Sequence, residues 1–318
     1  MYEELYGFVQ SPFTLAPDPR FFYLSQSHDE AIRRLLQSIR RREGFIVLTG
    51  EIGTGKTTLC RALLEQLDAT TFTSLILNPF LSVEELLREI LLDFGVVSKE
   101  AVRRGRIAAA SKHELVSTLH DFLKTLVPLH GSGVLIVDEA QHLSAQVLEE
   151  IRVLSNMETN DSKLLQIVLV GQLNLLDVLA AADMRQLDQR ISLRATLRPL
   201  TRDEVDAYIA HRLSIAKGST AVAFEPAAID LVHATSGGVP RVINLLCDRA
   251  LMFGAEAGVS TVTPEHVQQA AILLGLKLPV PTERPLAPRW ALMLVAMLAI
   301  LSLAAAVWWG LVGWIAGD

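Results

Sequence analysis

The sequence predicts an α/β fold: a parallel sheet covered by helices on both faces, a smaller all-helical domain after it, and one apolar helix near the C-terminus. Three observations carry this. Short runs that are apolar throughout, such as FIVLT at 45–49 and VLIV at 134–137, alternate with helical patterns up to about residue 200. Strands buried on both faces belong to parallel sheets, because crossover helices cover both sides. Strand signals then stop at Pro199 while helical ones continue. Finally, the 27 residues from Trp290 to Ala316 carry no charge, enough for one membrane-spanning helix.

The elements follow in order. MYEELYGF has neither the basic n-region nor the apolar stretch of a signal peptide. Pro12, Pro17 and Pro19 keep residues 11–24 irregular. Ser27 and Glu30 have the capping-box spacing, and Ile32, Leu35, Leu36 and Ile39 give the following helix an apolar face. Strand 45–49 leads through a Gly-rich turn into a helix from about Thr57 to Leu67, and 72–77 (TFTSLI) is a second strand. Ser82 and Glu85 cap a helix to Phe94 with an apolar stripe at 83, 86, 87, 90, 91 and 94, and Gly95 stops it. Strand 134–137 precedes a helix from Ser144 to Met157, followed by strand 165–170 (LQIVLV) and a weaker one at 193–197 (LRATL). In the helical domain, Thr201/Glu204, Pro226, Gly238 and Thr263-Pro264 mark four helix starts. The expected division is 1–44 as an N-terminal segment and helix packing on the core, 45–200 as the α/β domain and 201–276 as the helical domain. Residues 277–289 hold four prolines and form a stiff linker to the apolar helix at 290–316.

Composition sets the outer bounds. Of 318 residues, 29 are Lys or Arg and 35 are Asp or Glu, giving a net charge of −6, which argues against a strongly basic nucleic-acid binder. The mean hydropathy of +0.34 is high for a soluble chain, and the excess sits in 290–316. Disorder, collagen-like repeats and a multi-span membrane protein are excluded. Two cysteines, Cys60 and Cys247, exclude a disulfide framework and a four-cysteine zinc site; both sit in helical contexts and read as core thiols in a reducing compartment. The basic clusters Arg40-Arg41-Arg42 and Arg103, Arg104, Arg106 read as solvated helix ends.

The chemistry lies in two motifs. Gly50-Glu51-Ile52-Gly53-Thr54-Gly55-Lys56-Thr57 matches G-x-x-x-x-G-K-[ST] between a buried strand and a helix, and Thr58 continues it into that helix. Such glycines let backbone N–H groups close around phosphates at a helix N-terminus. Lys56 is a compact cation for the β- and γ-phosphates of ATP, and the Thr57 hydroxyl is placed to ligate Mg²⁺. In Val134-Leu135-Ile136-Val137-Asp138-Glu139 a buried strand ends in two carboxylates. C-terminal strand ends line the ligand crevice of a parallel sheet, so Asp138 is expected beside the phosphate loop as a Mg²⁺ ligand, and Glu139 as the base that orients water. His28 is a capping-position histidine that can help close the nucleotide pocket.

The two motifs with a helical C-terminal domain resemble the AAA+ ATPases. More narrowly, MYEELYGF, SPFTLAPDPRFFYLSQSHDEAI, GFIVLTGEIGTGKTTL, VDEAQHL, LLQIVLVGQLNL, LDQRI and GGVPRVINLLCDRAL look like the ExeA or GspA secretion ATPases, to which exosortase-associated ATPases are related. The resemblance covers residues 1 to about 275 and implies a P-loop AAA+ core with a helical lid. It implies that Gln172 is the sensor-1 group reading the γ-phosphate, that Arg190 is the arginine finger with Arg185 in reserve, and that Arg241 is sensor 2, reaching from the lid to the nucleotide. It further implies a homo-oligomer and partners in an envelope secretion complex. The family's proteins continue past the membrane into a peptidoglycan-binding domain; this sequence ends two residues after the apolar segment, so a cell-wall role is the one implication of the resemblance left open.

At 1.5 Å per residue, the 27 uncharged residues reach about 40 Å against a hydrocarbon core of about 30 Å. Trp290 stands at one end and Trp308, Trp309 and Trp314 at the other, as membrane interfaces favour. Lys277, Arg284 and Arg289 precede the segment and only Asp318 is charged after it. The positive-inside rule therefore predicts a single-pass protein of the inner (cytoplasmic) membrane with its ATPase domain in the cytoplasm. The leading expectation is a membrane-anchored ATPase that drives assembly or remodelling of an export complex. Two alternatives remain open: a recruitment switch with slow turnover, and a DNA-associated ATPase like the transposition regulators.

Overall fold

Five parallel strands form the central sheet in the order β2-β3-β4-β1-β5, with β1 at Phe45–Gly50, β2 at Thr71–Ile76, β3 at Ser132–Val137, β4 at Leu165–Gly171 and β5 at Ile191–Leu197. The computed structural model describes residues 2–16, 18–98, 100, 110–159, 162–218, 221–279 and 297. Strands β1, β3 and β4 are buried along their whole length, as their unbroken apolar runs require. Strand β5 is at the sheet edge and alternates between buried and exposed positions, which is why its sequence signal is weaker.

Helices cover both faces. On one side α2 (Gln26–Arg40) and α3 (Lys56–Leu64) pack Ile32, Leu35, Leu59 and Leu63 against Ile46, Leu48, Val134 and Val168. On the other, α4 (Val83–Asp93), α5 (Lys112–Leu126) and α6 (Ala145–Leu154) pack against Val47, Leu135 and Leu169. Helix α4 buries the whole stripe from Val83 to Phe94 and carries the Ser82/Glu85 capping box. Helix α5 is one for which the sequence analysis assigns no element; its signals are a Ser111/Glu114 capping box and buried Leu115, Leu119, Leu123 and Leu126. A correction applies to α2. Its N-cap is Ser25, which accepts from the His28 N–H, whereas Ser27 lies inside the helix and accepts the Arg198 N–H at 2.9 Å. The two serines offer the same side chain two residues apart, and Ser27 is used to hold the chain leaving β5.

Short helices α7 (Leu175–Ala180) and α8 (Arg185–Asp188) connect β4 to β5. The helical domain contains α9 (Arg202–Ala216), α10 (Pro226–Ser236), α11 (Pro240–Glu256) and α12 (Pro264–Leu273), plus a two-residue parallel pair, β6 (Ala223–Phe224) with β7 (Thr261–Val262). Its apolar core holds Ile243, Leu246, Cys247, Leu251 and Val267, together with Tyr2, Tyr6, Phe8 and Phe13 from the N-terminus. Tyr2 and Tyr6 stand on α1 (Tyr2–Tyr6) and donate to Asp248 Oδ1 at 2.6 Å and to the Val259 carbonyl at 2.8 Å. Buried Arg212 on α9 donates to the carbonyls of Pro12 and Thr14, at 2.6 and 3.0 Å. Residues 2–14 are thus built into the helical domain, while α2 is built into the α/β domain; the intervening chain crosses between them.

Cys60 and Cys247 are both free and buried. Of the basic clusters, Arg40 is exposed at the end of α2, and Arg42 donates to the carbonyls of His130 and Gly131. Among the described residues no helix is long and apolar enough to cross a membrane. The expected linker from residue 280, the apolar segment at 290–316 (Met297 apart) and Arg103, Arg104 and Arg106 lie outside the described residues.

Candidate active site

Because all five strands are parallel, β1, β3 and β4 end at the same edge, and three functional segments leave the sheet there. The first is the phosphate loop after β1. Gly50 ends the strand, Glu51 and Ile52 are exposed, and Gly53 and Gly55 take left-handed φ values of +83° and +95°. A Cβ on Gly53 would come within 2.6 Å of Arg241, so glycine is needed there for space as well as for conformation. Thr54 closes the turn by donating its hydroxyl to the Glu51 carbonyl at 2.9 Å. Lys56 is buried at the start of α3 and donates to the carbonyls of Gly50 and Glu51, both at 3.0 Å. Burial pulls its pKa below the usual lysine value, and the carboxylates of Glu139 and Asp138 oppose that shift. Thr57 and Thr58 follow on the helix, half-buried and facing the cleft.

The acidic pair follows β3. Asp138 is buried; its Oδ2 accepts the Thr57 hydroxyl at 2.5 Å and its Oδ1 accepts the Glu139 N–H at 2.8 Å. Glu139 has a left-handed φ of +51°, which turns the chain sharply out of the strand. Its Oε2 accepts from the side-chain amide of Gln141 at 2.6 Å and more distantly from that of Gln172 at 3.4 Å. Gln172, the first residue after β4, is therefore brought to the same carboxylate. Sequence reasoning passed over Gln141, although it lies two residues from Glu139 in the quoted VDEAQHL.

The third wall comes from the helical domain. Val239 and Arg241, at the start of α11, sit on the phosphate loop, and the Arg241 N–H donates to the Gly53 carbonyl at 3.3 Å. Between the walls is a cleft of about 440 Å³ lined by the phosphate loop, Glu139, Arg241, Asn244 and, from the crossing segment, residues 14–16 and 21–23. His28, which also lines the cleft, braces the loop: its Nε2 donates to the Thr54 carbonyl at 2.9 Å and its Nδ1 faces the Ser25 hydroxyl at 2.6 Å. This pattern requires a proton on Nε2, and burial favours the neutral ring, holding the pKa below the usual histidine value.

Arg190 is not brought to this cleft within the chain. It precedes β5 at the end of the sheet where Phe45 pairs with Ile191, whereas the phosphate loop leaves from the opposite end, where Gly50 pairs with Leu197. Its guanidinium donates to Ser155 and Asn156, and it is exposed, as is Arg185.

The residues present fit a magnesium nucleotide. The Gly53 and Gly55 cradle leaves no room for side chains, and α3 points its N-terminus at the loop. The Thr57 hydroxyl and Asp138 carboxylate form an adjacent all-oxygen donor pair, the chemistry a hard cation takes.

Comparison with known proteins agrees with this geometry. Residues 39–179 match the family model described as an AAA domain. The structure is similar to that of the ORC2 protein from Aeropyrum pernix, with a TM-score of 0.62 and 16% identity over 83% of this chain and 72% of that one. It is also similar to the structure of Drosophila ORC bound to DNA, with a TM-score of 0.61 and 20% identity over 84% of this chain and 65% of that one. For the RuvB Holliday junction branch migration motor of Thermotoga maritima the TM-score is 0.51, with 17% identity over 79% and 69%. At these identities the likeness establishes the fold, a nucleotide-binding α/β core of the AAA+ class with a helical lid. Over 271 residues, 85% of its length, the chain is 40% identical to General secretion pathway protein A of Aeromonas hydrophila, and it spans 48% of that relative. The chain belongs to this GspA/ExeA family of AAA+ proteins.

Proposed function

We propose that the protein binds ATP with Mg²⁺ in the cleft, hydrolyses it, and uses the cycle to assemble or remodel an envelope secretion complex. One observation carries the hydrolytic reading. A buried lysine, a hydroxyl–carboxylate pair and a second carboxylate held by amides converge at one sheet edge, beneath an arginine from the lid. In this reading Lys56 and the loop N–H groups bind the β- and γ-phosphates, and Thr57 and Asp138 hold the metal. Bound Mg²⁺ supplies charge neutralisation on the phosphate oxygens. Glu139 orients and deprotonates the attacking water, Gln172 contacts the γ-phosphate side, and Arg241 links the lid to the nucleotide.

Arg190 acts in this reading on the nucleotide of a neighbouring copy, so the working unit is a homo-oligomer. The arginine's position at the opposite end of an edge strand supports action in trans over action in cis. The secretion role rests on the 40% identity to General secretion pathway protein A. Inner-membrane anchoring through residues 290–316, with the ATPase domain in the cytoplasm, rests on the uncharged 27-residue run and the lysine and arginines before it.

The test is Glu139→Gln in the full-length protein. The amide cannot take a proton, so nucleotide affinity should stay within about twofold while phosphate release falls by on the order of 10²–10⁴. Wild-type phosphate release by this variant would sink the assignment.

A further inference from the structure

We infer that Gln141 is a positioning residue for hydrolysis, locking the Glu139 carboxylate to the end of β4 so that one oxygen is left free for water. The inference rests on the reading of Glu139 as the base. Gln141 lies in the short 3₁₀ turn Ala140–His142 directly after Glu139, and it is buried behind the cleft rather than among its lining residues.

The direction of its amide follows from the main chain. The Gln172 N–H is 3.1 Å from Gln141 Oε1, and a backbone N–H can only donate. The oxygen of Gln141 therefore faces β4, and its Nε2 must face Glu139, where it lies 2.6 Å from Oε2. Strand β4 ends in glycine at the point of closest approach: a Cβ on Gly171 would come within 2.6 Å of the same Oε1. Both amide contacts to the carboxylate, from Gln141 and from Gln172, fall on Oε2. Among the described residues Oε1 of Glu139 accepts no hydrogen bond, and Glu139 lines the cleft. Oε1 is thus the atom available to water, and the Gln141 bond decides where it points.

A glutamate side chain has three rotatable bonds, and fixing them costs conformational entropy. The bond from Gln141 makes that ordering part of the fold, before nucleotide arrives. It also ties Glu139 to the backbone of Gln172, so a shift of one moves the other. Loss of the tie should slow the chemical step without weakening nucleotide binding, because Gln141 lines no part of the cleft.

The experiment is steady-state ATP hydrolysis and direct nucleotide binding by full-length Gln141→Met, which keeps length and loses both the donor and the acceptor. The turnover number should fall about ten- to hundredfold, with KM and nucleotide affinity within about twofold of wild type. Added to Glu139→Gln, the same change should reduce turnover no further, since the group it positions is already lost. Gln141→Asn serves if the first variant does not fold: one methylene short, it cannot span both partners, and the same loss confined to turnover is expected. A raised KM with unchanged turnover, wild-type turnover in a folded variant, or an undiminished further loss in the Glu139→Gln background would each overturn the inference. Glu139→Gln alone separates the two failures. If it abolishes hydrolysis while Gln141→Met and Gln141→Asn turn over normally, only the role of Gln141 is wrong; if Glu139→Gln itself turns over normally, the base assignment is wrong and this inference with it.

Discussion

On the sheet side of the cleft, Lys56, Thr57, Asp138 and Glu139 are each held by at least one hydrogen bond within the protein, and Lys56 and Asp138 are buried. On the lid side, Arg241 is exposed and joins the loop only through its backbone N–H; its side chain has no hydrogen bond or ion pair among the described residues. The difference separates two tasks. In the proposed reading, the groups that meet developing charge are ordered in advance, where fixed dipoles act without reorganisation. Arg241, which in that reading follows the helical domain, is left free to adjust.

Substitutions can break this contrast, starting with the largest effect. Lys56→Ala removes the buried ammonium that holds the loop carbonyls of Gly50 and Glu51 and, in the proposed reading, the phosphates. Each charged hydrogen bond is worth about 1.5–3 kcal/mol, so nucleotide affinity should drop more than about a hundredfold by titration calorimetry, and turnover with it. Retained micromolar binding would show that the sheet wall is less ordered in function than in structure.

Arg190→Ala comes next. It should leave binding nearly intact and lower turnover by on the order of 10³, the scale of an arginine finger. Mixing it with Lys56→Ala protein should restore part of the activity, because the second variant lends its intact Arg190 to a neighbour with an intact loop. If mixing restores nothing, and activity per subunit is flat across dilution, Arg190 is a surface residue bonded to Ser155 and Asn156 and nothing more.

Arg241→Ala should cost about tenfold or less in affinity, because an exposed cation is strongly screened. That loss should shrink further at high salt, whereas the Lys56→Ala loss should not. Comparable losses from the two variants would erase the contrast between the walls.

The smallest effect is pH-dependent. Burial depresses the pKa of His28 from 6.5, while the Thr54 carbonyl and the Glu204 carboxylate oppose the depression. The stability that the buried neutral ring contributes is therefore fully present above the unfolded value of about 6.5. It is lost as pH falls below that value, since an opened loop takes up a proton that the closed one resists. Nucleotide affinity should decline as pH falls below about 6.5, and His28→Gln should flatten that part of the profile.

The same contrast governs what could be read in the sequence. The sheet wall is written in contiguous motifs: a Gly-rich turn between strand and helix, and two carboxylates at the end of VLIV. Its geometry follows from parallel strands sharing one edge. The helix caps at Ser82 and Thr201 were equally legible, because a capping box is local. The cap of α2 was not legible in this way: Ser27 fits the spacing, but the Arg198 N–H claims its hydroxyl and Ser25 caps the helix, which only tertiary contact decides. Gln141 was hidden for a related reason: its role depends on the backbone of Gln172, 31 residues away, and on a glycine that makes room for it. Residues 2–14 were hidden more deeply, since their aromatic side chains announce burial but not which of the two cores receives them.

That last feature has a temporal side. Tyr2 and Tyr6 find their partners 246 and 253 positions downstream, at Asp248 and Val259. A ribosome adding about 5–20 residues per second needs roughly ten to fifty seconds to cover that distance. During this interval the α/β domain can assemble behind the emerging chain, but Tyr2, Tyr6, Phe8 and Phe13 have no core to enter. These four aromatic residues are synthesised before the helical domain that buries them, and the cleft, whose wall they tether, closes only when α11 and the Val259 carbonyl beyond it have been made.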